Sequence, residues 1–284
     1  MVAATVADGG HVSATRFFKM TGSGNDFIIL DGRESAESAW TPARIAGVCD
    51  RRNGVGADGL VMLAPEHDGI RMHYWNADGS RAAMCGNAAL CSARLAVRLG
   101  LARQERIRLL TDAGPVESRC VGDREMAEIR LPDAAIPSAV PAIAAGPGER
   151  AIWLGTVGVP HLVVLVDDVG RVDVEGRGCE LRHHAAAGPA GANANFVSAP
   201  KRSGAPWPIR TFERGVEGET LACGTGTVAA GLALAAHCGV ALPLEFRSWG
   251  GGALTVRATI EDGRAADVWL GGEGRLVFTG EWKG

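Results

Sequence analysis

The sequence predicts an α+β protein made of two similar halves, each a mixed sheet or barrel wrapped around one central helix. Three observations carry this. A strand–glycine turn–strand segment occurs twice, at residues 17–31 and 152–168. A Cys-Gly pair opens an Ala- and Leu-rich stretch twice, at Cys85-Gly86 and Cys223-Gly224. The spacing between the two features is similar in both halves. Alternating strands and amphipathic helices, the mark of a doubly wound fold, are missing.

The first segment reads FFKMTGSGNDFIILD and the second IWLGTVGVPHLVVLVDD, with Gly158, Val159, Pro160 and His161 standing where Gly24, Asn25, Asp26 and Phe27 stood. The apolar stretches run over residues 85–100 and 223–239, each closed by a glycine suited to a left-handed helix cap. They are apolar on nearly every side, which predicts burial at the centre of each half. Thr41-Pro42 is an N-cap followed by proline and starts a peripheral helix ending near Cys49. Short β-biased runs at 70–75, 107–111, 116–120 and 126–131 predict strands, echoed at 209–212, 244–247, 254–260, 266–270 and 276–278. The Pro- and Ala-rich stretch 132–148 is the candidate linker, and residues 1–14 read as a loose N-terminal extension without the features of a signal peptide.

Composition narrows the function. A net charge of −3 with mixed signs offers no basic stripe for nucleic acid and no polybasic segment for a membrane surface. No apolar run approaches the roughly 20 residues of a membrane helix. Seven cysteines without Cys-x-x-Cys spacing fit neither a disulfide framework nor a zinc knuckle, and point to a reducing, cytoplasmic compartment. No metal site and no cofactor is expected.

A lone cysteine at a helix start is ordinarily a small buried apolar residue. Two in matching places, each followed by glycine and a small polar residue (Asn87, Thr225), point to chemistry. A helix N-terminus stabilises a thiolate, and the amides after Cys85 and Cys223, at Gly86-Asn87 and Gly224-Thr225, are placed to hold a substrate carboxylate. Two such helices facing each other would set one sulfur on each side of the adjacent carbon. That arrangement suits inversion at a C–H centre. Polar residues precede each cysteine: Asn76 in NADGS and Glu213-Arg214 in ERG. An Asx turn is the plain alternative for Asn76, and a surface salt bridge for Glu213 and Arg214.

Six motifs in order resemble the diaminopimelate epimerase family: Gly22-Ser23-Gly24-Asn25-Asp26-Phe27, Asn76-Ala77-Asp78-Gly79-Ser80, Met84-Cys85-Gly86-Asn87, Pro160-His161, Glu213-Arg214-Gly215 and Ala222-Cys223-Gly224-Thr225-Gly226. The resemblance implies two pseudo-symmetric domains, 1–131 with 273–284 and 132–272, because the last strand returns to the first half. It implies a homodimer and a pyridoxal-free two-cysteine reaction on LL- and meso-diaminopimelate, serving lysine and peptidoglycan synthesis. It assigns substrate contacts to Asn25, Asn76, Asn193, Glu213 and Arg214, with Gly86, Asn87, Gly224 and Thr225 at the helix ends, and gives His161 and Glu213 the tuning of the cysteines. Three positions depart from the family pattern. Val159 replaces an asparagine, Gly59 stands where some members carry glutamine, and Asn87-Ala88-Ala89-Leu90 replaces Asn-Gly-Ala-Arg. Val159 and Gly59 bear on the far end of the substrate, so the reaction type rests on more residues than the substrate does. A racemase of another amino acid, and from a different class a thiol redox protein or a non-catalytic amino-acid-binding protein, are the competing readings.

Overall fold

A computed structural model describes residues 14–122 and 125–284, so all but the last residue of the expected N-terminal extension lies outside the described residues. The first half contains β1 (Thr15–Gly22), β2 (Asn25–Asp31), α1 (Pro42–Cys49), β3 (Gly59–Glu66), β4 (Gly69–Asn76), α2 (Gly86–Arg98), β5 (Ile107–Thr111), β6 (Gly114–Val121) and β7 (Met126–Arg130). Two short strands, β8 (Ala134–Ala135) and β9 (Ser138–Ala139), lie in the stretch expected to be a linker. The second half contains β10 (Glu149–Val157), β11 (Val159–Val166), α3 (Val174–Arg182), β12 (Asn193–Val197), β13 (Trp207–Glu213), β14 (Gly218–Thr220), α4 (Gly224–Cys238), β15 (Leu244–Ser248), β16 (Ala253–Glu261), β17 (Arg264–Glu273) and β18 (Arg275–Trp282).

The pairing repeats. β1–β2, β3–β4, β5–β6 and β6–β7 are antiparallel, while β2–β3 and β4–β5 are parallel. The second half runs β10–β11, β12–β13, β15–β16 and β16–β17 antiparallel, with β11–β12 and β13–β15 parallel. A parallel pair needs a crossover, and helices supply it at equivalent places: α1 and α3 after the first hairpin, α2 before β5 and α4 before β15. β7 pairs with β17 along the seam, β18 pairs with β1, and β9 pairs with β10.

Period-two alternation explains the continuous apolar runs of β2, β3 and β11. Phe27, Ile29, Val61 and Leu63 face the core around α2, whereas Ile28, Leu30, Leu60 and Met62 face a second core sealed by Ile45 and Val48 of α1. Likewise Val163 faces α4, while Leu162, Val164 and Phe196 lie under Val174 and Leu181 of α3. Strands covered on both faces need no polar side. One core surrounds α2 and α4 together.

Thr41 caps α1 as expected, its Oγ1 accepting from the Arg44 amide at 3.3 Å. Gly239 closes α4 at φ 68°. The last turn of α4 is less buried than its sequence suggested: Ala236, His237 and Cys238 emerge into solvent, where His237 stacks on Trp153 at 5.3 Å.

Phe246 is 0% exposed in the core around α4. Phe246→Ala is expected to lower unfolding stability by about 3–5 kcal/mol in urea titrations. A loss below about 1 kcal/mol would mean that this core is not packed as described.

Candidate active site

The N-termini of α2 and α4 open into one cleft of about 590 Å³. Its walls include Cys85, Gly86 and Asn87 from one helix start and Cys223, Gly224 and Thr225 from the other, with Asn25, Asp58 and Glu213 at the sides and Ile129, Leu131 and Leu270 as an apolar floor. Each cysteine is the N-cap residue, in extended conformation, and the chain turns helical at the glycine that follows. Close approach favours glycine in the first turn of α4, whereas a Cβ on Gly86 would meet only ordinary contacts at 3.7 Å and beyond. A Cβ on Gly224 would sit 2.6 Å from Leu270, and one on Gly226 would sit 2.0 Å from Asn195 Oδ1.

An ionic network anchors Asn25. Lys19, buried, holds Asp26 at 2.6 Å, and Arg51 bridges Asp26 at 2.6 Å and Asp58 at 2.7 Å. Burial alone would raise the Asp26 pKa, but hydrogen bonds and charge from Arg51 and Lys19 hold it at about 2. Asp58 then accepts from Asn25 Nδ2 at 3.0 Å, and Asn25 Oδ1 accepts from Asn87 Nδ2 at 2.7 Å. The hairpin turn is thereby tied to the start of α2.

The second half uses amides instead. His161 is fully buried, its Nδ1 facing Asn193 Nδ2 at 3.4 Å and Asn195 Nδ2 at 3.3 Å. Asn195 Oδ1 accepts from Thr211 Oγ1 at 2.9 Å, and Asn193 Oδ1 accepts from the Arg214 amide at 2.7 Å. Burial drives the His161 pKa down to about 4, so its ring is neutral at pH 7.

The sequence led us to expect thiols acidified by the helix ends. Burial outweighs that effect. Burial pushes the Cys223 thiol up to about 12, helped by the Glu213 carboxylate and opposed by the Gly226 amide and the Thr225 hydroxyl, which lies 3.8 Å from the sulfur. Burial also raises Cys85, against the amides of Ala88 and Asn87 and the Tyr74 hydroxyl. Glu213 is itself raised by burial.

Of the residues expected at the site, Asn25, Cys85, Gly86, Asn87, Glu213, Cys223, Gly224 and Thr225 line the cleft. Asn193 and His161 stand behind this wall, joined to it through the Arg214 amide and Asn195. Asn76 is exposed, its Nδ2 donating to Ser80 Oγ at 3.0 Å and its carbonyl accepting from the Gly79 amide at 2.9 Å, while the Asx bond of this turn is made by Asp78, which accepts from the Ser80 amide at 2.8 Å. Asn76 ends β4 as Glu213 ends β13, so both lie on the side of the sheets where the helices begin. Asp58, Asn195 and Tyr74 were not anticipated; the one available signal was Asn195, a second amide two residues beyond Asn193 in a buried strand. Among the described residues no group of three or more His, Cys, Asp or Glu is gathered for a metal ion.

A sequence model of diaminopimelate epimerase matches residues 17–131 and 154–270. The chain belongs to the diaminopimelate epimerase family. A diaminopimelate epimerase from Gemmatimonas aurantiaca is 45% identical over 94% of this chain and 99% of its own, and one from Methanocella arvoryzae is 39% identical over 75% and 79%. The family's isomerase chemistry accords with two cysteines at facing helix starts. The fold is also shared with solved structures of lower identity. A phenazine biosynthesis protein of the PhzF family from Bacillus anthracis superposes with TM-score 0.70 at 16% identity, covering 95% of this chain and 99% of that one. A hydroxyproline epimerase from Agrobacterium vitis does so with TM-score 0.60 at 17% identity, covering 94% and 92%. The duplicated-domain fold expected from the sequence is therefore the family's fold.

The depressed pKa of His161 has a consequence for stability. Its folded value lies below the ordinary 6.5 of the unfolded chain, so the unfolded state binds the proton first. Stability should be undiminished by this group above pH 6.5 and should fall as pH drops from about 6.5 to about 4. The His161 ring carbon signal is expected not to titrate above pH 5 in NMR; a midpoint near 6.5 would contradict the buried neutral ring.

Proposed function

We propose that the protein interconverts LL- and meso-2,6-diaminopimelate by a two-base reaction without pyridoxal phosphate or any other cofactor. The observation that supports this most is the cleft shared by two helix starts, each headed by Cys-Gly. The substrate α-carboxylate is held by amides of Gly86, Asn87, Gly224 and Thr225. One cysteine, as thiolate, takes the α-proton; the opposite thiol gives its proton to the other face. One C–H bond breaks as an S–H bond forms, and one S–H bond breaks as a C–H bond forms. The sulfurs finish with their protonation exchanged and are reset by proton exchange or by turnover of the other isomer.

The α-proton of an amino acid is a very weak acid, so the developing negative charge needs fixed donors in a site shielded from water. Oriented helix amides are such donors. His161 and Glu213 tune the two sulfurs, and the thiols titrate as a coupled pair. Asn25, Asn76, Asn193, Glu213 and Arg214 contact the substrate, the Arg214 fork suiting the distal carboxylate. Domain 1–131 with 273–284 carries Cys85 and domain 132–272 carries Cys223. The enzyme works as a cytoplasmic homodimer, feeding lysine and peptidoglycan synthesis.

Val159 at the start of β11 favours one second reading, a racemase of another amino acid on the same machinery. The test is incubation with LL-diaminopimelate in deuterated water, with label at the α-carbon followed by NMR. Deuterium entry together with formation of the meso isomer is expected, and each of Cys85→Ala and Cys223→Ala should lower the rate by roughly a hundredfold to ten-thousandfold. Full turnover in either variant would sink the two-base reaction. Inversion of other amino acids, with LL-diaminopimelate untouched, would establish the second reading.

A further inference from the structure

The duplicated halves place unlike residues at like positions. In the second half His161 pairs with Asn193 and Val163 with Asn195 across β11 and β12, and Asn195 pairs with Thr211 across β12 and β13. The same register in the first half pairs Phe27 with Gly59, Ile29 with Val61, and Val61 with Tyr74. Phe27 is thus the counterpart of His161 and Val61 of Asn195. Both are buried apolar residues of the core around α2, so this fold packs without a polar group at either place. The second half instead buries His161, Asn193, Asn195 and Thr211 together. Such a cluster costs free energy unless its members bond one another.

The direction of each hydrogen bond here is settled by a partner that can play one role alone. Asn195 Nδ2 lies 2.9 Å from the Leu162 carbonyl oxygen, which can only accept, and Asn195 Oδ1 takes the Thr211 hydroxyl at 2.9 Å. Asn193 Oδ1 accepts from the Arg214 backbone amide at 2.7 Å, which can only donate. Turning either amide over would oppose like groups at Leu162 or at Arg214. Both side chains therefore present their NH2 groups to one ring nitrogen, His161 Nδ1, at 3.4 and 3.3 Å. A proton on Nδ1 would set three donors against one another. The proton of the neutral ring sits instead on Nε2, a buried nitrogen with no partner among the described residues. Gly226 lies between this cluster and the cleft: a Cβ there would collide with Asn195 Oδ1 and sit 3.2 Å from Cys223 Sγ.

We propose that Asn195 is a positioning residue for His161: together with Asn193 it fixes the neutral ring as the Nε2–H tautomer, so that His161 serves the site as a hydrogen-bond donor and not as a base. This rests on the reading that His161 tunes the cysteines, and it assigns the direction of that tuning. A ring with a proton on one nitrogen and two donors on the other cannot take a thiol's proton; its N–H can only favour a thiolate. The other groups that bear on the ring agree. The Val157 carbonyl favours a ring N–H, and the charge of Arg214 opposes a second proton.

The experiment labels the histidines of the full chain with 15N and reads two-bond proton–nitrogen correlations at neutral pH, which separate a bare ring nitrogen from a protonated one. Among the signals of seven histidines, those of His161 are the ones lost in His161→Phe, which installs the residue of the first half. The unaltered protein should show a bare Nδ1 and a protonated Nε2. Asn195→Asp puts a carboxylate oxygen where the donor stood; it should move the proton to Nδ1 and raise the pKa of the ring by about one unit or more. Asn195→Val, again the residue of the first half, removes one donor and should admit the Nδ1–H form as a visible fraction. In turnover, Asn195→Asp should lower kcat by roughly tenfold to a hundredfold with little change in KM, since Asn195 touches no substrate. A protonated Nδ1 in the unaltered protein, an Nε2–H ring unmoved by both substitutions, or an unchanged kcat once the proton has moved would overturn the proposal. The tautomer is read without substrate, so failure of the epimerase reading would be seen separately, as no deuterium entry in a protein whose His161 keeps its proton on Nε2.

Discussion

Everything in this molecule is arranged around two α-helices buried end-on, with their N-termini opening into the same cleft. The first amides of a helix have no partner within it and need one from outside. Here the N-cap residues are cysteines, so no side-chain oxygen occupies those amides. The helices are held at the centre of strand sets that repeat each other in order and direction, which sets the two N-termini in matching positions. The apolar floor of Ile129, Leu131 and Leu270 comes from the seam between the halves, where β7 meets β17.

The electrostatics of the cleft are a contest between burial and oriented dipoles. Burial penalises a thiolate more than the helix amides favour it, so both thiols are raised and Cys223 reaches about 12. The same burial keeps His161 neutral and raises Glu213, leaving few full charges near the sulfurs. Charge is concentrated at one side, in the Lys19–Asp26–Arg51–Asp58 network, whose task is to fix Asn25 against Asn87. A weakly solvated cleft of this kind strengthens whatever hydrogen bonds a substrate carboxylate makes to the helix ends.

What could be read in advance was local. Cys-Gly before an apolar stretch, Thr41-Pro42 before α1, and glycines closing α2 and α4 are signals contained in a few neighbouring residues, and the elements begin and end where those residues direct. Most strands were legible for the same reason, but β3, β12 and β14 were not expected, nor were β8 and β9, whose pairing with β17 and β10 has no trace in their own Ala- and Pro-rich sequence. α3 escaped notice because its segment carries Glu, Arg and Gly with only Val174 and Leu181 fully packed among its large apolar residues. At the site, Asp58, Asn195 and Tyr74 act through strand register, which brings together residues far apart in the chain. Asn195 meets Thr211 only because β12 and β13 pair as they do. No motif contains such a relation. The motif at Asn76 was legible as a turn, although its Asx bond is made by Asp78 to the Ser80 amide and not by Asn76.

The central claim is that Cys85 and Cys223, the two of the seven cysteines that line the cleft, act together on one carbon centre. Reaction with a short dibromide such as dibromobimane, followed by peptide mapping, measures that directly. The account predicts a single bridge joining Cys85 to Cys223, formed in stoichiometric yield and blocked by prior addition of diaminopimelate. Bridging of either cysteine to another partner, or none while both remain singly reactive, would contradict it.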